Sequence, residues 1–538
     1  MNAVRWCNTG VLAVLCLALN SRGDPLHLIQ DGRLQAVVVV PAQPAPEEMA
    51  AARDLAGYLE RMSGDAARVV FAAEASPDIP SICVGQTGMR ELFIDPADAE
   101  TFLMRRVGRW VFLCGATPQA TRMAVNRFLQ EEGGVRWFMP GELGEHVPMR
   151  KNWALDTLDK RRTPSFISRN LSGLTTEAER IWAERNGLRA HFEIGHNLHR
   201  VFPPALFEQH PEFFPMVEGR RRPPPAQGSG AWQPCFANAA AAEYAAQRAK
   251  ESLREHPERN SFSLAINDHL QLCECPECQA LVSQRLFRGM PDASDLVFTF
   301  VSRAAASCTG GMITAYAYLW CENAPSFALP SNVAVYLTAD RSFWHDPEFR
   351  AEDQDLIRRW TRCCDWVGLY DYYYGTAYAV PRLFTASMAD TLKFAASTGV
   401  KGIHAELYPF WALDGPKAWL AAQWMWDAGQ DPAVLLDDYY RNFYGEAAEP
   451  MREFYDFCES RWRDQGGRTA WLKYYKSWQQ FELFPAAARA EARAILDRAA
   501  KTAREDLIRR RVAFVSAGFR VTELYGRIVD VVATLARV

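Results

Sequence analysis

What most narrows the folds open to this chain is a series of short apolar segments between residues 165 and 408, separated by stretches of helical character. They are SFISRN (165–170), RAHFEIG (189–195), WQPCFAN (232–238), SFSLAIND (261–268), ITAYAYLW (313–320), VAVYLTAD (333–340), WVGLYDY (366–372) and GIHAELY (402–408). Runs rich in β-branched and aromatic residues, bounded by polar turns, read as strands, and strands alternating with helices imply a parallel sheet. Eight such units over about 270 residues fit a closed (β/α)₈ TIM barrel better than an open sheet.

The flanks divide the chain further. QAVVVV (35–40) reads as a buried strand, and Met49, Ala52, Leu55, Ala56, Leu59 and Met62 then recur on one helical face up to Ser63 and Gly64. Strand-like VVF (69–71), ICVG (82–85) and WVFLCG (110–115) follow, then a helix carrying Ala120, Met123, Ala124, Phe128 and Leu129 that stops at Gly133 and Gly134. The pattern predicts a small α/β domain over 24–160, the barrel over 161–430 and a helical C-terminal region over 431–538. In that last region an Ala/Arg-rich helical pair from Pro485 to Val538 is expected to break near Ser516–Gly518.

Residues 1–23 read as an export signal: Arg5 precedes the apolar run Gly10–Leu19, and polar Asn20–Gly23 follow. The run is too short to span a bilayer, so the expectation is a periplasmic or secreted protein with no membrane association once the signal is removed. A formal net charge of -4 offers no basic face to a phosphate backbone, which argues against a nucleic-acid partner.

Reactive groups in such a barrel stand at the carboxyl ends of the strands. Asn267 and Asp268 close the fourth run, Glu322 follows the fifth, Asp340 and Arg341 close the sixth, Asp371 closes the seventh and Glu406 lies in the eighth. Each alone also reads as a helix cap or a loop acid. Together, Asp268, Glu406 and Asp371 supply what glycoside hydrolysis needs, an acid for the leaving oxygen and a second carboxylate as base or nucleophile, with no cofactor required.

The expected substrate-binding set is Asn267, His196, His199, Trp320, Tyr370, Tyr373 and Trp411, with a carbohydrate as partner. Aromatic faces cover sugar C–H groups, although the same rings also suit core packing, and the two histidines also suit loop hydrogen bonding. CECPEC crowds Cys273, Cys275 and Cys278 into the loop after the fourth run, with Cys235 on the third. The four suit either a closed structural zinc site or one or two disulfides, which an exported protein permits.

The segments GVRWFMPGELGEHVP (134–148), GHNLHRVFPP (195–204), HPEFFPMVEGRR (210–221), CFAN (235–238), INDHLQLCECPECQAL (266–281) and the tract 415–448 carry a resemblance. The chain resembles a family of exported bacterial proteins that carry a domain of unknown function, number 4838, which in layout is similar to α-glucuronidases and β-hexosaminidases. The resemblance implies a small α/β domain, a glycosidase-like barrel and then helices, and a substrate containing a uronic acid or a hexosamine. By strand position it implies a general acid after strand four and a pair of acids on late strands, here Asp268, Asp371 and Glu406. The sequence departs from the pattern in carrying Asn267-Asp268 where α-glucuronidases use Glu and hexosaminidases use adjacent Asp-Glu. The alternative is a non-catalytic carbohydrate-binding protein that retains the barrel.

Overall fold

Four consecutive valines, Val37–Val40, are buried throughout and form β1. Such a strand needs cover on both faces, which a parallel α/β layer supplies. The computed structural model describes residues 24–87, 99–225, 230–465 and 471–536, so the expected export signal lies outside the described residues. Two compact units result, Met1–Pro164 with Arg185–Gly187, and Ser165–Glu184 with Leu188–Val538.

In the first unit β1 is followed by α1 (Pro46–Ser63), β2 (Val69–Phe71), β3 (Ser81–Val84), β4 (Phe102–Val107), β5 (Trp110–Gly115), α2 (Pro118–Glu131) and β6 (Asp159–Arg162). The six strands form one mixed sheet in the order β6-β4-β5-β3-β1-β2, parallel from β5 to β2 and antiparallel at β4 and β6. Local chemistry sets the helix ends. Pro46 occupies the first turn of α1, Gly64 closes it at φ 78° with its N–H on the Glu60 carbonyl, and Thr117 caps α2 by accepting from the Ala120 N–H.

The second unit is built on a six-stranded parallel sheet. Its strands are β7 (Ser168–Ser172), β8 (Ser261–Ser263), β9 (Met312–Ala317), β10 (Val333–Thr338), β11 (Trp366–Tyr372) and β12 (Gly402–Glu406), in the order β7-β12-β11-β10-β9-β8. Helices α3 (Ala239–Glu255), α4 (Ser294–Ser307), α5 (Pro347–Cys363) and α6 (Thr385–Ser397) connect them, so six of the eight expected strands belong to one half-barrel sheet.

The other two expected strands, 189–195 and 232–238, are not ladder strands. Residues 189–197 run between the sheet's two edges, bridging Arg169 at Arg189 and Ala265 at His196. Their backbone groups are satisfied by side chains: Ser261 Oγ accepts from Glu193 N, Thr314 Oγ1 donates to Glu193 O, and Ser263 Oγ donates to Gly195 O. Polar side chains that bond the backbone locally displace a regular ladder. In 232–238, Pro234 has no N–H to give a ladder, and the Asn267 amide instead donates to Trp232 O.

Strand alternation decides what lies inside the sheet's curve. In register across it stand Ser168, Gly402, Gly368, Tyr336 and Tyr316. Phe192, Ala265, Tyr316, Ala334, Tyr336 and Trp366 pack there as a buried cluster, and the two glycines leave the room the rings need. A Cβ on Gly368 would lie 2.6 Å from the Tyr336 ring, and one on Gly402 2.5 Å from the Trp366 ring.

The C-terminal part is helical, with α7 (Lys417–Trp426), α8 (Pro432–Tyr444), α9 (Ala448–Arg463), α10 (Ala486–Thr502) and α11 (Asp506–Leu535). The expected break near Ser516–Gly518 instead falls at 503–505, where Glu446 Oε1 accepts from the backbone N–H groups of Arg504 and Glu505 just ahead of α11. Gly518 sits inside α11 because a Cβ there would come within 2.5 Å of Ala412 Cβ. Among the described residues no helix is long and apolar enough to cross a membrane.

Gly368→Ala drives a methyl into a ring held on every side, so unfolding in denaturant should show a loss of about 1–3 kcal/mol. Unchanged stability would mean the Tyr336 ring has somewhere to go.

Candidate active site

At the carboxyl ends of the strands lies a cavity of about 240 Å³. Tyr316, Thr338, Tyr370, Tyr372 and Glu406 come to it from β9, β10, β11 and β12, and His196, Asp268, Tyr318 and Tyr374 from the segments just beyond strand ends. Leu472 and Tyr475, far along the chain, complete the wall. A larger depression of about 760 Å³ lies at the opposite ends, near Asn260, Met312 and Asn332, and no carboxylate lines it. Chemistry in parallel α/β folds belongs to the carboxyl end, so the smaller, acid-bearing cavity is the candidate.

Glu406 ends β12, and its two carboxylate oxygens accept hydrogen bonds from different phenols, Oε1 from Tyr370 and Oε2 from Tyr374. Asp268 is exposed and accepts from the Tyr318 hydroxyl at 3.0 Å. Burial, reinforced by neighbouring tyrosines and by Glu406, pushes the Tyr370 phenol far above its usual range, and burial with Asp268 does the same for Tyr318. Both therefore act as hydrogen-bond donors to the carboxylates.

Aromatic rings set the remaining shape. Tyr374 stacks on Tyr408 at 5.4 Å and meets Tyr475 edge to face at 5.0 Å, while Trp471 meets Tyr318 and Tyr372 edge-on at 5.4 and 5.8 Å. Trp471, Leu472 and Tyr475 were not among the residues expected here. The dense aromatic run WLKYYKSW (471–478) was the available signal. One layer below Glu406, Asn170 Nδ2 lies 2.9 Å from His404 Nδ1, which accepts in the neutral ring, and Tyr370 covers that ring at 4.4 Å. Burial lowers the His404 pKa from 6.5 to about 4.

Of the expected catalytic residues, Asp268 and Glu406 share the cavity and Asp371 does not. Tyr370 and Tyr372 face inward, so alternation turns Asp371 outward, where it is buried and accepts from the backbone N–H groups of Arg341 and Tyr372 at 3.0 and 2.8 Å. Burial, opposed by Arg341 and aided by Asp340, raises its pKa to about 6. Glu322, Asp340 and Arg341 are likewise buried and committed to ion pairs, with Arg288, Arg382 and Asp353 respectively.

Of the expected binding residues, His196 and Tyr370 line the cavity. The His196 Nδ1–H is directed at the Ile266 carbonyl, which fixes that nitrogen as the donor. The others stand outside it. Asn267 is buried between Trp232 O and the His199 backbone N–H, and His199 leans on Asn267. Trp320 donates to Leu270 O, Tyr373 packs edge-on against Phe384, and Trp411 donates to Glu179 at 3.0 Å.

The four cysteines converge: the sulfurs of Cys235, Cys273, Cys275 and Cys278 lie within 4.8 Å of one another, all buried. Cys235 Sγ is 3.6 Å from Cys275 Sγ and 3.7 Å from Cys278 Sγ, and the described cysteines form no disulfide.

The second unit thus presents two carboxylates in an aromatic cavity at the carboxyl end of a parallel half-barrel sheet. In fold the chain is similar to BtGH115A, described as a family GH115 4-O-methyl-α-glucuronidase with specificity for decorated arabinogalactans. The TM-score is 0.54 at 11% identity, covering 92% of this chain and 72% of that one. A looser likeness joins it to a family 89 glycoside hydrolase from Clostridium perfringens, with a TM-score of 0.45, 12% identity, and 78% and 56% of the two chains covered. No curated protein matches significantly. The chain belongs to the family defined by the Domain of unknown function (DUF4838), whose model matches residues 139–456.

A histidine held neutral by burial stabilises the fold fully above pH 6.5, and that contribution, on the order of 3 kcal/mol, is lost as the pH falls toward 4. The His404 ring resonances should therefore keep their neutral positions from pH 8 to 5 and move only near pH 4. Movement centred on pH 6.5 would refute this placement.

Proposed function

We propose that this protein is an exported glycoside hydrolase that cleaves a carbohydrate containing a uronic acid or a hexosamine, using Glu406 and Asp268 as its carboxylate pair. The observation that carries the reading is the Glu406 carboxylate gripped by Tyr370 and Tyr374 in the same cavity as Asp268. Two phenol donors fix its plane, and an anion so oriented can take a proton from water or attack an anomeric carbon. Asp268, exposed and with Tyr318 on one oxygen, would have to take up a proton first and would then pass it to the leaving oxygen. The surrounding tyrosines offer both ring faces for sugar C–H groups and hydroxyls for sugar oxygens. Segments 189–197 and 232–238 would take the places of strands two and three in a closed eight-unit barrel. Fold likeness to a glucuronidase agrees with this reading without naming the sugar.

The wild-type protein should turn over at least one member of a panel of uronic-acid and N-acetylhexosamine glycosides. On that substrate Glu406→Gln and Asp268→Asn should each lower kcat at least about a hundredfold, whereas Asp371→Asn should leave kcat within a few-fold and change stability instead. Native turnover by the Glu406→Gln, Asp268→Asn double variant would remove the pair from the mechanism. Oligosaccharide binding without turnover would leave a carbohydrate-binding protein.

A further inference from the structure

We propose that Cys235, Cys273, Cys275 and Cys278 hold one structural zinc ion that clamps the loop bearing Asp268. The metal site stands independently of the glycosidase reading, and only the importance of the clamp for activity rests on it. Sulfurs at the corners of a tetrahedron around zinc, each about 2.3 Å from the metal, are separated by about 3.8 Å. The observed separations of 3.6 and 3.7 Å match that edge and are far from the roughly 2.05 Å of a disulfide. Cys235 approaches two partners about equally, as a shared metal requires and a disulfide does not.

The surroundings suit thiolates. The Met216 backbone N–H donates to Cys273 Sγ at 3.2 Å, and the Arg221 guanidinium lies 3.6 Å from the same sulfur. Four thiolates around a dication leave net negative charge, which a guanidinium offsets, and such outer donors orient the ligands. All four positions are protein sulfurs and all are buried, so the site would be closed and structural rather than catalytic.

The clamp reaches the cavity through one residue beside its ligands. Gln233, two positions before Cys235, donates to the carbonyls of Asn267 and His269 at 2.7 and 2.9 Å and accepts from the Asn267 N–H at 3.2 Å. Asp268 is thus held between two carbonyls fixed to the segment that supplies Cys235, while the metal ties that segment to 273–278.

Full-length protein purified without a metal-affinity tag should contain about one zinc per chain by elemental mass spectrometry. Exchange with cobalt should give the intense visible bands of tetrahedral thiolate coordination, a readout that needs neither activity nor a variant. Cys275→Ser with Cys278→Ser should reduce metal to background and abolish those bands. Metal-free protein with four reactive thiols, or peptide mapping that finds Cys235 in a disulfide, would overturn the proposal.

Discussion

Two missing side chains hold the second unit open for its aromatic core. Gly368 and Gly402 stand side by side on β11 and β12, and the rings of Tyr336 and Trp366 occupy the space they leave. Because side chains alternate strictly along a strand, this one row fixes the rows above it. Two residues on, Tyr370 and His404 form the next layer, and two further on stand Tyr372 and Glu406. The carboxylate therefore rests on a stack of buried rings, and its position follows from how that stack is filled.

The same alternation separates two kinds of acid. Glu406 faces the cavity among phenols that donate to it, while Asp371, one register step from Tyr370 and Tyr372, faces the layer of buried arginines and carboxylates. Ion pairs this deep recover little net energy after desolvation, but removing one partner is costly. Arg341, Arg382 and Lys417, each buried and paired, are accordingly better understood as fixing the loops after β10 and β11 than as reserves of stability.

Much of this could be read from the residues. The valine-rich and tyrosine-rich runs marked six strands because β-branched and aromatic side chains suit a sheet buried on both faces. The two remaining runs misled because composition does not reveal that Ser261, Ser263 and Thr314 would take over the backbone bonds of 189–197, although Pro234 was a visible objection to a strand. Period two, which YDYYY states directly, turns Asp371 to the face opposite Tyr370, so the two do not share a pocket. Gly518 looked like a helix break because the sequence does not show Ala412 lying against it. The convergence of Cys235 with the CECPEC loop was visible in their placement on neighbouring runs.

Leu472 and Tyr475 reach the cavity from beyond α9, well after the last strand has ended, and Trp471 backs its Tyr318 and Tyr372 walls. The wall of the pocket is thus assigned to a part of the chain that a strand-and-helix count would assign to an accessory bundle. Without that segment the half-barrel sheet and both carboxylates would remain, yet the cavity would lose part of its wall. Exchange of that one aromatic segment between relatives would re-cut the pocket's mouth and the packing against Tyr318 and Tyr374, while the strand that carries Glu406 stayed as it is.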